Sequence, residues 1–253
     1  MATEQPSRRG GVLKWVLGVI LGLLLLGALG AAAWYFLRSE DLVSQGFEGQ
    51  IDQVVINVQG EVDITAGTTY EVDARREWLF GDAPQVDMAL EGGVLRVEAN
   101  CDSGFIPRCL VSIDAVVPAD AEILVESDAG AVTVTGTNAG VDLATDAGSI
   151  TVDVAGAATL RTSAGSIEGT VRDGDVDAST DAGNIDLVIE GDFTGVSATT
   201  DAGSVELTVP DLVYAVDAAS TAGEVTVDVR TDPASDVTIR ARSSAGNVTV
   251  QPG

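Results

Sequence analysis

Four carboxylates recur at one position of a repeating phrase: Asp128, Asp146, Asp181 and Asp201 each precede an Ala-Gly step. Carboxylate oxygens suit hard cations, and Ca²⁺ accepts them in flexible geometry. If the repeats stack as parallel strands, equivalent residues lie ~4.8 Å apart. A row of carboxylates at that spacing, interrupted by Ser163, repels itself unless hydrogen bonds or a cation hold it. Turn capping is the simpler use, because Asp, Ser and Thr readily bind backbone N–H groups of their own turn. Ser163, Thr221 and Ser244 occupy the same position, which fits capping better than metal binding. A specific Ca²⁺ site at Asp128, Asp146, Asp181 and Asp201 stands as the alternative, and no other cofactor is expected.

Other chemistry is narrowed by what the chain lacks. It contains no histidine, which removes His-based nucleophilic triads and His-ligated zinc. No phosphate-cradling or dinucleotide motif follows a strand and opens a helix. Polysaccharide cleavage needs two carboxylates at a defined separation, usually beside aromatic platforms for the sugar. The repeat region offers just Phe193 and Tyr214 as aromatics. The reading is therefore not an enzyme, with a polysaccharide-active β-helix as a remote alternative.

The elements that position these residues follow from the phrase itself. Its glycines are Gly130, Gly148, Gly165, Gly183, Gly203, Gly223 and Gly246. A fixed phrase at a period near 20 residues signals stacked repeats. Apolar residues alternate after each glycine, as in Val132/Val134, Ile150/Val152 and Ile185/Leu187, with Gly169 the exception. They alternate before it too, as in Ile123/Val125 and Val141/Leu143, so each repeat is two half-buried strands around a tight corner. Ser or Thr always stands three residues before the glycine, from Ser127 to Ser243, and reads as a coil-to-coil hydroxyl ladder. Length changes fall at the other corner alone, which a coil of parallel strands explains better than an antiparallel meander. The glycine is expected to supply φ > 0. The predicted fold is all-β: a parallel β-helix or β-solenoid with an irregular N-terminal β cap, preceded by one transmembrane α-helix.

Along the chain, residues 1–14 are a polar lead with Arg8, Arg9 and Lys14. Residues 15–37 are uncharged and overwhelmingly apolar, about 35 Å long as a helix and sufficient to cross a bilayer. Trp15 and Trp34-Tyr35 mark its ends, and the preceding positive charge puts the N-terminus in the cytoplasm. A cleaved signal peptide with Ala31-Ala32-Ala33 as its cleavage site is the competing reading. The favoured localisation is single-pass in the plasma membrane, with the bulk of the chain outside. Residues 38–48 read as a linker, 49–120 as an irregular β region, and 121–253 as the regular solenoid. Gly92-Gly93 marks a hairpin-like turn within the irregular part. Outside the cell, Cys101 and Cys109 form a candidate local disulfide. The C-terminal coil ends abruptly, with Pro252 as its edge protection or the end itself as a self-association surface.

Charge narrows the partners. Against 13 Lys+Arg stand 39 Asp+Glu, a formal net charge of −26. Nucleic acid is a poor partner for such a chain. The expected partners are the membrane, through residues 15–37, an envelope or surface protein or polymer, and another copy end to end.

A strand-rich lead, the step from Val111 to Pro118, and recurring phrases of Ser/Thr, any residue, Ala, Gly and alternating Val/Ile together resemble the putative-adhesin family. The resemblance covers roughly residues 45–253. It implies a β-helix-like domain at a prokaryotic cell surface, with no catalytic residues to carry over, and some members are linked to envelope-stress sensing. This chain departs from the pattern in its acidity and its uniform Ala before the glycine. The reading is a non-enzymatic, membrane-anchored surface module for adhesion or envelope scaffolding. The alternative is a cation- or cationic-peptide-responsive stress-sensing element. Any binding face is expected on outward side chains or at the variable corner, around residues 210–215 and 231–236.

Overall fold

The computed structural model describes residues 39–78, 82–100 and 109–253. Its N-terminal strands are β1 (Ser39–Phe47), β2 (Gln53–Val58), β3 (Val62–Ala66), β4 (Tyr70–Trp78), β5 (Gln85–Glu91), β6 (Val94–Asn100) and β7 (Cys109–Val117). The repeats follow as pairs flanking each Ala-Gly corner. They are β8 (Glu122–Ala129) with β9 (Val132–Thr135), β10 (Val141–Ala147) with β11 (Ile150–Ala155), and β12 (Ala158–Ala164) with β13 (Ile167–Arg172). Next come β14 (Val176–Ala182) with β15 (Ile185–Glu190), and β16 (Gly195–Ala202) with β17 (Val205–Val209). The chain closes with β18 (Val213–Ala222) and β19 (Val225–Val227), short β20 (Arg230–Thr231), and β21 (Thr238–Ala245) with β22 (Val248–Pro252).

Each coil places its first strand in one sheet and its second in another. The sheets run β20-β18-β21-β16-β14-β12-β10-β8-β2-β6-β5 and β1-β4-β7-β3-β9-β11-β13-β15-β17-β22-β19. All pairings are parallel except β1 with β4, β4 with β7, and β5 with β6. The alternating residues therefore stack into continuous inward rows, such as Ile123, Val141, Ala158, Val176, Val196 and Ile239. All of them are buried. The β5–β6 hairpin turns on Gly92 and Gly93, with φ of 58° and 84°.

The glycines do something different from what the sequence predicts. Only Gly130, Gly203 and Gly246 of the seven have φ in the left-handed half, at 133°, 153° and 151°. The shared constraint is close approach. A Cβ on Gly148, Gly165, Gly183, Gly203 or Gly246 would lie 1.9–2.0 Å from the carbonyl oxygen of the glycine in the coil below. No real Cβ occupies such a position, so the corner demands glycine whatever its φ. Gly60, in the β2–β3 coil, continues the column beneath Gly130.

Two hydrogen-bond ladders fasten the same corner. The inward hydroxyls donate to glycine carbonyls of the neighbouring coil: Ser127 to Gly60 at 2.8 Å, Thr162 to Gly148 at 2.9 Å, Thr180 to Gly165 at 3.0 Å, Thr200 to Gly183 at 2.9 Å, Ser243 to Gly203 at 2.8 Å. The predicted hydroxyl ladder thus bonds to carbonyls. Just past the corner, Ser149, Ser166, Asn184 and Ser204 accept the backbone N–H of Ser166, Asn184, Ser204 and Asn247 in turn, at 2.9–3.3 Å. Asn247 likewise accepts from Glu224 N–H at 3.0 Å.

Three expectations from the sequence are corrected. Residues 39–47 are not a linker but strand β1, paired antiparallel along the whole of β4. The regular stack does not begin at residue 121, because β2 and β3 sit in register beside β8 and β9. Coil membership is decided by lateral pairing, which an intervening excursion through β4–β7 does not disturb. Finally, the C-terminal coil is not an end. β21 lies between β16 and β18, and β22 between β17 and β19. Pro252 faces Val209, and Gly253 N–H donates to Val209 O at 2.9 Å. The apolar segment 15–37 lies outside the described residues, among which no helix is long and apolar enough to cross a membrane.

A mid-stack Gly183→Ala substitution should cost more than ~4 kcal/mol of unfolding free energy or abolish folding, the range reserved for unavoidable clashes. Gly140→Ala should change stability by about 1 kcal/mol or less, because its Cβ would meet Ala157 O at an ordinary 3.5 Å. Denaturant unfolding of the two variants checks the contrast. Thr180→Val, which strands the Gly165 carbonyl, should lose about 1–3 kcal/mol in the same measurement.

Candidate functional site

The predicted acidic row is assembled but solvent-exposed. Parallel register sets Asp146 beside Asp128 and Ser163, and Asp181 beside Ser163 and Asp201. All four carboxylates are exposed. None accepts an N–H of its own turn, so the capping reading is corrected. Asp201 instead accepts from the Ser244 hydroxyl at 3.3 Å. The corner's backbone is served by the two ladders, which leaves the carboxylates free of that task. A second acidic row escaped the sequence reading. Asp73, Asp114 and Asp63 are directly adjacent across β4, β7 and β3. Asp73 Oδ1 is buried without a hydrogen-bond partner among the described residues. Among those residues, no group of three or more acidic side chains is placed to hold a metal ion. Cys109 opens β7, whereas Cys101 lies outside the described residues.

Arginines neutralise part of the outer faces by clamping across coils. Arg161 reaches Asp142 and Asp177, both at 3.4 Å. Arg172 reaches Asp153 at 2.5 Å and Glu190 at 3.1 Å. Exposed pairs like these contribute at most about 1 kcal/mol each. Each arginine bridges one carboxylate in the coil on either side of its own.

The region that departs from this regularity is the β18–β19 coil. It is the last coil at its end of the stack because β21–β22 fills the place beneath it. Residues 210–212 carry the chain past that place, and residues 228–237 bring it back. The variable corner named in the sequence reading is thereby assembled. Val213 and Tyr214 pair with Arg230 and Thr231, Asp232 N–H donates to Tyr214 O at 2.9 Å, and the Ser235 hydroxyl donates to Val213 O at 2.9 Å. Tyr214 is fully buried, stacks on Phe193 with ring centroids 5.9 Å apart, and donates to Pro210 O at 2.7 Å. Burial, with Asp211 adding to it, pushes its phenol pKa up.

At this end the apolar rows run into solvent. Ile239 is 1% exposed, but its neighbour Val216 in β18 is half-buried, as are Ala218 and Val227. Val225 is 41% exposed, Leu212 49% and Val213 39%. A hollow of about 710 Å³ is bounded by Val176, Val196, Val216, Val227 and Ile239 and, from the returning segment, by Thr231 and Pro233. On the outer face, Asp217 takes both Arg242 at 2.6 Å and Arg240 at 3.5 Å. The Arg242 hydrogen bond chiefly holds its carboxyl below the usual range. From sequence, Val225 and Val227 look like every other repeat. The available signal was the length of the connection before β21, the longest between repeats.

The chain has relatives among known proteins. The model of the family described as Toastrack DUF4097 matches residues 111–251, more than half of the chain. The chain belongs to the Toastrack DUF4097 family. No curated protein matches it. Among solved structures, the toastrack chain is similar to a putative adhesin from Bacteroides fragilis at 15% identity and a TM-score of 0.48, covering 85% of this chain and 98% of that one. It is also similar to a putative adhesin from Parabacteroides distasonis at 15% and 0.40, covering 84% and 97%. A putative cell adhesion protein from Clostridium sporogenes matches at 10% and 0.38, covering 85% and 100%.

In this toastrack chain the variable corner also carries a charged cap. Asp175 accepts the backbone N–H groups of Thr194 at 2.7 Å and Gly195 at 2.9 Å, with the Thr194 hydroxyl at 2.8 Å. The Thr194 and Gly195 N–H bonds hold its carboxyl below the ordinary range. The unfolded chain, with a carboxyl near 4, therefore takes up this proton first. The stabilisation is present above that value and lost as pH falls through the folded pKa. Between pH 5 and pH 3 the melting temperature of Asp175→Asn should fall less steeply than that of the unsubstituted chain, measured by circular dichroism.

Proposed function

We propose that the chain is a non-enzymatic, membrane-anchored surface module for adhesion or envelope contacts, whose stacked coils hold an interaction end away from the bilayer. The anchor is the apolar segment 15–37, with residues 1–14 cytoplasmic and the remainder outside the cell. Strand β1 begins at Ser39, directly after that segment, and lies at one edge of the stack. The β18–β19 coil lies at the other edge. Eleven strands at ~4.8 Å put roughly 50 Å between the two ends.

The observation that carries this reading is the contrast between the β18–β19 coil and the interior coils. Inside the stack, the inward rows are closed and the outward faces repeat Thr, Ser and carboxylates. At the far end, Leu212, Val213 and Val225 are exposed, and Val216, Ala218 and Val227 are only half-buried. Apolar patches rimmed by polar residues mark interaction sites on otherwise polar surfaces. The non-enzymatic part of the reading rests on the outer carboxylates forming evenly spaced rows held by arginines and hydroxyls.

Two measurements on intact cells making the full chain test this. A membrane-impermeant maleimide should label Ala234→Cys before lysis and Ser7→Cys only after it. The reverse pattern would reject the topology. Attachment of those cells to washed envelopes should drop for the Leu212→Glu, Val225→Glu double variant, and unchanged attachment would reject the interaction end.

A further inference from the structure

We propose that the hollow at the variable corner is a binding site for a free aliphatic carboxylate of the long-chain fatty acid class. Its volume of about 710 Å³ falls within the roughly 300–1,000 Å³ of small-molecule sites. Val176, Val196 and Ile239 are buried at its floor, and Val216, Ala218 and Val227, all half-buried, form its apolar walls. All six are aliphatic. The floor runs from β14 across β16 and β21 to β18, three strand spacings or about 14 Å. Such a shape suits a linear chain better than a ring system. The protein's own side chains leave this space short of carbon. Each coil from β10–β11 to β16–β17 buries one leucine in its interior: Leu143, Leu160, Leu187 and Leu207 in turn. β21–β22 and β18–β19 bury none, with Ala241 and Val250, and Ala218 and Val227, at the corresponding positions. Missing methyl groups leave dispersion contacts unmade, and apolar voids take apolar guests.

Charge at the rim selects the head group. Thr231, Thr238, Asp217 and Arg240 border the hollow and are exposed. Asp217 is held closely by Arg242 at 2.6 Å and loosely by Arg240 Nε at 3.5 Å. The terminal N–H groups of Arg240 have no partner among the described residues. A guanidinium presents such groups in the fork that a carboxylate accepts. A cationic head would meet a carboxylate already shared by two arginines, so the rim favours an anion. Placing the ligand's source in solution rests on the reading of this coil as the end remote from the bilayer. Acyl chains of the anchoring membrane do not reach across the roughly 50 Å of stacked strands.

The test embeds the full chain in phosphatidylcholine nanodiscs and adds a fatty acid carrying a photoreactive diazirine near its chain end. After irradiation, peptide mass spectrometry reads which residues are labelled. Label on β18, β19 and β21, displaced by unlabelled palmitate, is the expected result. Ala218→Leu supplies the missing leucine and should cut that label about tenfold or more, with the melting temperature unchanged or raised. The corresponding fatty alcohol should label roughly tenfold less than the acid, and Arg240→Gln should erase that difference. Melting curves no lower than that of the unsubstituted chain exclude misfolding of either variant. Label confined to residues 15–37, label that palmitate fails to displace, label that persists in Ala218→Leu, or equal label from acid and alcohol overturns the proposal. A second arm places the diazirine in the acyl chain of the nanodisc phospholipid, and label in the hollow from that probe overturns the source in solution. Envelope attachment of cells is read separately. If the hollow takes no label while Leu212→Glu with Val225→Glu still loses attachment, the functional reading survives and this one fails.

Discussion

Each coil rests on the next through a glycine with no room for a Cβ. With Gly148 and Gly165 in place, one chain's carbonyl can approach the next turn's α-carbon closely enough to let the ladders on either side keep their ~4.8 Å spacing. The same approach leaves each glycine carbonyl facing inward at a corner, where the sheet ladder does not serve it. A hydroxyl from the neighbouring coil does, at Ser127, Thr145, Thr162, Thr180, Thr200, Ser220 and Ser243. A buried carbonyl left unpaired would cost about 1–3 kcal/mol, so the Ser/Thr position is as constrained as the glycine. The corner is thus a single unit of steric absence and hydrogen-bond supply.

Once the corner is set, the remainder of the surface is under weaker demands. Outward residues need only tolerate a neighbour of the same kind at strand spacing. In a chain with 39 acidic residues against 13 basic ones, that tolerance comes from small hydroxyl residues between carboxylates and from arginines that bridge two coils. The variable corner absorbs the length differences, with Asp175 tying one coil to the start of the next. Stacked repeats interact mainly with their immediate neighbours. The end coil, having a neighbour on one side, is therefore where apolar rows meet solvent.

The repeat, the two strands per coil and the parallel arrangement were legible from the Ala-Gly phrase and the alternation around it. The inward Ser/Thr row was also legible, although its acceptor was not, since the glycine carbonyl becomes a neighbour only after stacking. The Ser149, Ser166, Asn184, Ser204 and Asn247 row was available in the sequence immediately after five of the seven corner glycines. The more conspicuous aspartates beside it are exposed and take no part in the turn's backbone bonds. Gly60 was hidden because its coil lacks the Ala-Gly phrase. Neither Leu212 nor Val225 could be singled out, because an alternating apolar residue reads as buried until its neighbours are counted.

By itself the sequence determined the local unit: a tight glycine corner between half-buried strands, repeated at near-constant length and therefore able to stack. It also determined the acidity of the surface and the apolar segment ahead of the stack. Only the tertiary structure decided the order of the coils. β2–β3 lies inside β6–β7, and β21–β22 inside β18–β19, so the order of the coils departs from chain order at both ends of the ladder. The physical reason is that every coil offers its neighbours the same backbone ladder and nearly the same inward row. Local sequence then fixes that a coil will pair, while the connecting segments and the packing of whole coils select which neighbour it pairs with.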